Sequence, residues 1–462
     1  MFPLHRCAAT LALTATAICW NAASACSDVL LNTSIASNII SARTMDFAPD
    51  LRTAIEVIPA NTTFQELPVR NCVDCPDYSW QSKYGFVALN VVGMNVAADG
   101  LNERGLSAGM LWLDATKYPK PHVSTGKDDD EDDDDDQSDS TKPIVTFVCS
   151  YLLGNYATVD EVRKGLDTFQ VGEFDERIVV PLLHHESIGR LPLHVSVHDA
   201  SGESLVIEFL KGKTKVYDNI NDVLTNDPPL SKQLEALEEN GFKHYPGGYG
   251  SDERFLRLSV LNRGAYFGYR GGQPEFTYMA GSEEQQGVAA AVHLINTVVR
   301  VPNDEATQWT VIRDHARRKL YVQTTQNQVL RQVDLNALDF TNTKSRRLIP
   351  VSFGDWFVDI TPALTDVSND AKTVDLPPRT QLEQLLEELI RNGSIPRQTE
   401  IPSPKTQDLV AQPSSSSSGF MVGILMGAAL AMAGMTVFKA LQRGRRSEYR
   451  RIPDPETASY AA

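Results

Sequence analysis

The chain has 462 residues, with 42% hydrophobic and 22% charged residues and a formal net charge of −16. That length and composition suit one large folded core with appendages, and the acidic balance argues against a nucleic-acid binder, which needs a basic face. Neither a Gly-x-Gly-x-x-Gly nor a Gly-x-x-x-x-Gly-Lys-Ser/Thr loop follows a strand-like run, so nucleotide chemistry has no support.

His5 and Arg6 precede an apolar run from Ala8 to Trp20, and Ala23-Ser24-Ala25 is a small-x-small site. This is the pattern of a secretory signal peptide over residues 1–25, the run being short for an uncleaved anchor. Cleavage after Ala25 makes Cys26 the first residue of the mature chain. A lipid-carrying cysteine is a competing reading, against which Ala23 stands where a larger aliphatic is usual. A free N-terminal cysteine joins a good nucleophile to an α-amine of reference pKa about 7.7–8.0, so one residue supplies both attacking atom and base. The bland alternative is a structural cysteine that happens to follow the cleavage site.

Cys26 to Leu31 and Asn38 to Ala42 read as two strands, with Asn32-Thr33-Ser34 turning between them. A hairpin centred near residues 34 and 35 sets Arg43 opposite Cys26 and leaves Asp46 just past the strand end. A carboxylate there could hold the new amine, and a guanidinium could favour the thiolate. Further along, Cys72 and Cys75 are close enough to pair as a local disulfide; Pro76 and Asp77 suggest a loop rather than the helix start of a redox Cys-x-x-Cys. A zinc site would need two more ligands, and Cys149 supplies only one.

Phe86–Val92, Leu193–Val197, Leu205–Phe209, Val311–Arg313 and Leu320–Thr324 read as strands, as does Val29–Leu31; Val159–Thr168 and Val288–Val299 read as helices. His198 to Glu203 is a hairpin turn. The mixture predicts an α+β domain with large antiparallel sheets over residues 26–362. Residues 127–142 interrupt it: nine consecutive acids from Asp128 to Asp136 repel one another, which predicts a disordered acidic insertion. His184, His185, His194 and His198 resemble a metal cluster, but strand histidines more often pack, and no carboxylate partner stands out in the sequence. Asn32, Asn61 and Asn392 open glycosylation sequons.

Residues 363–419 read as a short helix, with Leu382, Leu385, Leu386, Leu389 and Ile390 at helical spacing, followed by a flexible Pro/Ser-rich stalk. Residues 420–438 carry no charge and, at a rise of about 1.5 Å per residue, nearly match a bilayer core of about 30 Å. The basic tail 439–462 follows, so the positive-inside rule predicts a single-pass membrane protein with its tail cytosolic and its body on the extracytoplasmic or extracellular side.

Cys26-Ser27 with Ser41-Ala42-Arg43-Thr44-Met45-Asp46-Phe47 resembles the opening of the choloylglycine hydrolase and penicillin V acylase family of N-terminal nucleophile hydrolases. Trp80 to Gly85, Ala98-Asp99-Gly100-Leu101-Asn102-Glu103 to Leu106, Val223 to Pro228, and Glu253-Arg254-Phe255 resemble later motifs of the same family, in the same order. The resemblance implies a four-layered αββα sandwich and hydrolysis of linear amides through a thioester, with no metal or organic cofactor. It implies Cys26 as nucleophile and base, Asp46 orienting the amine, Arg43 beside the thiol, and Arg254 completing the polar cluster. It also implies Asn226 as oxyanion donor, with a backbone N–H near Trp112 as the second.

Trp112 lies where many bile-salt-cleaving relatives carry Asn. An indole favours an aromatic or long acyl group over a steroid hydroxyl, so penicillin V-like, acyl-homoserine lactone or fatty-acid amide substrates are expected ahead of conjugated bile salts; Trp112 as a core residue is the other reading. A catalytically silent surface binding protein on the same fold is the alternative from a different class. The expected partners are a small acyl-amide substrate and, through the C-terminal helix, a membrane; a homo-oligomer is compatible with the reading.

Overall fold

A computed structural model describes residues 26–33, 36–121, 142–175, 177, 190–242, 246–268, 282–300, 306–342 and 346–364, with positions 369, 384, 388 and 391. The chain divides into a unit spanning 1–398 and a second spanning 399–462, and every described residue belongs to the first. The expected signal peptide, the acidic run from Asp128 to Asp136, the Ser-rich stalk, the membrane span and the basic tail lie outside the described residues. Among those described, no helix is long and apolar enough to cross a membrane. Gln384, Glu388 and Arg391, on the polar side of the predicted leucine-faced helix, are helical and exposed.

Two antiparallel sheets dominate. Along the chain run β1 (Ser27–Leu30), β2 (Ile40–Asp46), β3 (Ala54–Ile58), β4 (Thr63–Gln65), β5 (Ser79–Gln81), β6 (Phe86–Asn90), β7 (Ala97–Asn102), β8 (Ser107–Trp112), β9 (Ile144–Val145) and β10 (Gln170–Val171). They continue as β11 (Leu193–His198), β12 (Ser204–Leu210), β13 (Lys213–Asp218), β14 (Val223–Thr225), β15 (Thr307–Asp314), β16 (Lys319–Thr324), β17 (Arg331–Asp334) and β18 (Arg347–Pro350). The six-stranded sheet has the order β14-β1-β2-β15-β16-β17 and the eight-stranded sheet β13-β12-β11-β8-β7-β6-β3-β18. The pairs β4–β5 and β9–β10 form separate ribbons. The helices are α1 (Val148–Asn155), α2 (Val159–Gly165), α3 (Leu230–Asn240), α4 (Ser251–Gly268) and α5 (Glu283–Asn296).

The layering follows from the strand period of two. On β7, a Cβ at Gly100 would lie 2.7 Å from Leu153 of α1, whereas its neighbour Asp99 pairs across the sheets with Arg43 of β2. In the other sheet, a Cβ at Gly287 of α5 would meet Ile40 of β2, whereas Ser41 and Arg43 face inward. The order is therefore helix, sheet, sheet, helix. Its apolar cores lie on both sides of the eight-stranded sheet.

Most predicted strands lie within the observed ones. The helix expected over Val159–Thr168 is α2 followed by a 3₁₀ turn at Leu166–Thr168. Helix α5 starts earlier than the Val288 predicted, because Ser282 and Gln285 form a reciprocal capping box that fixes its N-terminus. The first hairpin needs a correction. Arg43 pairs with Asp28, not Cys26, and Asp46 is the last residue of β2 rather than beyond it. The connection is longer than a tight turn, as Leu31 N–H still donates to Ile40 O. The pairing is therefore displaced by two residues, which keeps Arg43 and Cys26 on one face.

Candidate active site

Cys26 precedes β1 and is 1% exposed. Its sulfur lies 3.5 Å from Arg43 Nη2 and 3.9 Å from both Met45 Sδ and Asp46 O. The β1–β14 register pairs Ser27 with Thr225, so Asn226 follows directly beside Cys26. The Asn226 turn is held by α3: buried Gln233 donates to Asn226 O at 2.9 Å and Pro228 O at 2.7 Å, and accepts from Thr225 N–H.

Arg254, in the first turn of α4, ties these strands together. It is fully buried, and its Nη1 donates to Cys26 O at 2.6 Å and to Ser27 Oγ. Its Nη2 donates to Asn226 Oδ1 at 3.0 Å and its Nε to Tyr249 O at 3.1 Å. Asn226 Oδ1 is thereby fixed as the acceptor, and Nδ2 donates to Trp112 O at 2.9 Å. Burial lowers the Arg254 pKa to about 10, against the pull of Asp46. The site thus brings together Cys26, Arg43, Asp46, Asn226, Arg254 and Trp112.

Asp46 Oδ1 accepts from Thr307 Oγ1 at 2.5 Å. Thr307 was not among the residues singled out in the sequence; it arrives from β15, and nothing local to residue 46 signals it. Burial raises the Asp46 pKa to about 6, against Arg254, Thr307, Arg300 and Arg43, which favour the anion. The folded carboxyl then keeps its proton where the unfolded one, near 3.8, has lost it. Stability contributed by this group is present at low pH and declines between about pH 4 and 6, by roughly 3 kcal/mol in all. In the uncleaved chain, where residue 26 carries no ammonium, Asp46→Asn is expected to melt about 5 °C above the parent at pH 8. The gap should close toward pH 4; thermal melts across that range are the check.

In front of the sulfur opens a cavity of about 100 Å³. Met45, Phe47, Met94, Met110, Trp112, Phe147, Phe174, Leu191 and Phe209 are among its walls. The Phe47 and Trp112 rings lie 6.3 Å apart, and the indole N–H donates to Asp114 Oδ1 at 2.6 Å. Trp112 therefore lines the cavity and is not enclosed in the core. Two hydroxyls reach the wall, and both are committed. Tyr118 donates to Leu191 O at 3.0 Å and accepts from Leu193 N–H; Thr146 donates to Glu66 Oε2 at 2.7 Å and accepts from Leu67 N–H.

The histidines need another correction. His194 Nδ1 lies 3.4 Å from Glu208, and His198 Nε2 lies 2.5 Å from Asp28, so each has a carboxylate partner contributed by another strand. His184 and His185 lie outside the described residues. Among those described, no group of three His, Cys, Asp or Glu is arranged to hold a metal. Cys72 and Cys75 are disulfide-bonded, with Cα atoms 5.5 Å apart, and neither is among the residues that line the cavity.

A sequence model described as linear amide C–N hydrolases, choloylglycine hydrolase family, matches residues 26–348. The chain is 27% identical over 325 residues to penicillin V acylase from Pectobacterium atrosepticum, covering 65% of this chain and 78% of that protein. It is 23% identical over 272 residues to a bile salt hydrolase/transferase from Clostridium perfringens, covering 52% and 72% respectively. Among solved structures, penicillin V acylase from Agrobacterium tumefaciens is similar with a TM-score of 0.54 at 22% identity, covering 70% of this chain and 91% of that one. This last likeness is one of fold.

Proposed function

The chain belongs to the choloylglycine hydrolase family of linear amide C–N hydrolases, and on that footing we propose an N-terminal cysteine amidohydrolase of the penicillin V acylase kind, acting on amides of apolar linear or aryl acids. The observation that carries the substrate preference is the cavity wall, whose only hydroxyls among the described residues are already bonded to backbone and Glu66. A hydroxylated steroid would bury its polar groups there without partners, at about 1–3 kcal/mol each. A plain alkyl chain loses nothing by entering, and a phenoxyacetyl group buries only one weakly accepting ether oxygen.

In this reading, removal of residues 1–25 frees the Cys26 amine, and the Asp46 carboxylate orients it. The thiol proton passes to the amine as Sγ attacks the substrate carbonyl carbon. Arg43 favours the thiolate. The oxyanion receives a hydrogen bond from Asn226 Nδ2, released from Trp112 O, with a backbone N–H near Trp112 as second donor. The ammonium returns its proton to the leaving nitrogen, the C–N bond breaks, and a thioester remains. Water then attacks that ester and gives a proton to the amine; the C–S bond breaks, the ammonium passes that proton to the departing sulfur, and the acid leaves. The apolar run 420–438 and its basic flank make this a tethered enzyme, with the catalytic body on the extracytoplasmic or extracellular side.

The test is a substrate panel on chain whose N-terminus has been established as Cys26 by mass spectrometry. Phenoxyacetyl-penicillin, long-chain acyl-homoserine lactones and fatty-acid amides are expected to show kcat/KM at least about tenfold above glycine- and taurine-conjugated bile acids. The reverse order overturns the preference, and a mature chain starting elsewhere overturns the mechanism.

A further inference from the structure

Between the two sheets, behind the sulfur, a line of buried charges runs on from Arg43, and its further members are not used by the steps above. Arg43 Nη1 is 3.5 Å from Asp99 Oδ2 on β7. The same oxygen is 3.4 Å from Arg313 Nη1 on β15. Arg313 Nη2 donates to Asp28 Oδ2 on β1, and Asp28 Oδ1 pairs with His198 Nε2 of β11 at 2.5 Å. Arg43, Asp99 and Arg313 are fully buried and Asp28 is 1% exposed. Two guanidiniums and two carboxylates alternate; burial raises Asp99 to about 6, so above that pH the four are neutral as a set.

Resting on the reading of Cys26 as nucleophile, we propose that Asp28, Arg313 and Asp99 are positioning residues that hold the Arg43 guanidinium against the Cys26 sulfur. Stability alone does not explain such a chain, since buried ion pairs are often no better than apolar residues of equal volume. Geometry does explain it. Asp99 stands nearly midway between two guanidiniums, so its hold on Arg43 depends on where Arg313 is kept. Asp28 fixes Arg313 by one nitrogen and leaves the other to share Asp99. Room for the bridge comes from Gly109, where a Cβ would lie 2.6 Å from Asp99 Oδ2 and 3.1 Å from Arg43 Cδ.

The remaining anchors of Arg43 are the Met110 carbonyl, Met45 Sδ at 4.0 Å and the Trp309 ring, 5.4 Å from its guanidinium carbon. None of them can answer to a change in charge. The other titratable groups facing the chain are Asp46, beside Arg43, with His198, His315, Asp222 and Cys149; burial raises both Asp46 and Asp99 itself to about 6. Burial holds His315 neutral down to about pH 3, raises Asp222 to about 6 and pushes the Cys149 thiol up. Asp28 itself stays ionised: burial disfavours its anion, but Arg313 and His198 outweigh that.

The test is Asp28→Asn in the full chain processed at Cys26. Without its anchor Arg313 turns to Asp99, Asp99 slackens from Arg43, and the thiolate loses support. The midpoint of Cys26 alkylation by iodoacetamide, followed by peptide mapping to separate it from Cys149, is expected to move about half a unit to one unit higher in pH. The kcat/KM should fall about tenfold. Arg313→Lys, which keeps the charge but cannot reach both carboxylates, should shift the midpoint the same way and serves if Asp28→Asn does not fold. Val162→Ala, a core truncation in α2, controls for lost stability and should leave the midpoint alone. A parental midpoint in both chain variants, with Cys26 still essential, overturns the positioning role only; activity surviving in Cys26→Ala overturns the nucleophile instead.

Discussion

Cys26→Ala is expected to lower amide hydrolysis at least about 10⁴-fold while the protein still folds. Among the sulfur's neighbours are a guanidinium, a thioether and a peptide oxygen, none of which can replace it as a nucleophile. The neighbouring hydroxyl, Ser27 Oγ, is engaged by Arg254. Folding should survive because the strand is held through its backbone: Ser27 to Val29 pair with β14 on one side and with β2 on the other. Losing one small buried side chain costs about 1 kcal/mol, well within the reserve of an ordinary domain. Amine release and a melting curve on the same sample decide the matter, and parental turnover would remove Cys26 from the mechanism.

Asn226→Leu is expected to lower kcat by about 10²–10³, equivalent to about 2.7–4 kcal/mol of transition-state stabilisation, with little change in KM. Leucine matches the volume but has no N–H for the oxyanion. It also strips Arg254 Nη2 of its acceptor at 3.0 Å, so some stability should go with the activity. Asn226→Asp separates the two effects. Its carboxylate still accepts from Arg254, so the melting temperature should stay nearer the parent. It turns an anion toward the developing negative charge, so kcat should be lower still. If Asn226→Asp were as active as the parent, the oxyanion would have to be held by other groups.

What could be read before folding was what lies on one stretch of chain. Cys26, Arg43 and Asp46 share a hairpin, and period-two alternation put the first two on one face even though the pairing is displaced by two residues. Asn226 and Arg254 reach Cys26 through pairing of β14 with β1 and through the first turn of α4, contacts between residues far apart in the chain. Only the family motifs pointed to them. Asp28 and Arg313 carried no signal beyond a charge inside an apolar strand, because their partners come from other strands and the opposite sheet. Helix α1, Val-Cys-Ser-Tyr-Leu-Leu-Gly-Asn, is too short and too apolar to distinguish from a buried strand by periodicity. Its identity is decided by packing against β7, where Gly100 makes room for Leu153.

The bonded hydroxyls of Tyr118 and Thr146 also bear on how this enzyme could be blocked. A reversible electrophile such as a nitrile or aldehyde, carried on a bare hydrocarbon tail, would draw its grip from the warhead at one end and from water release along the rest. Decorating that tail with alcohols or amides should weaken the inhibitor, since both hydroxyls described along the wall have already been spoken for by the scaffold itself.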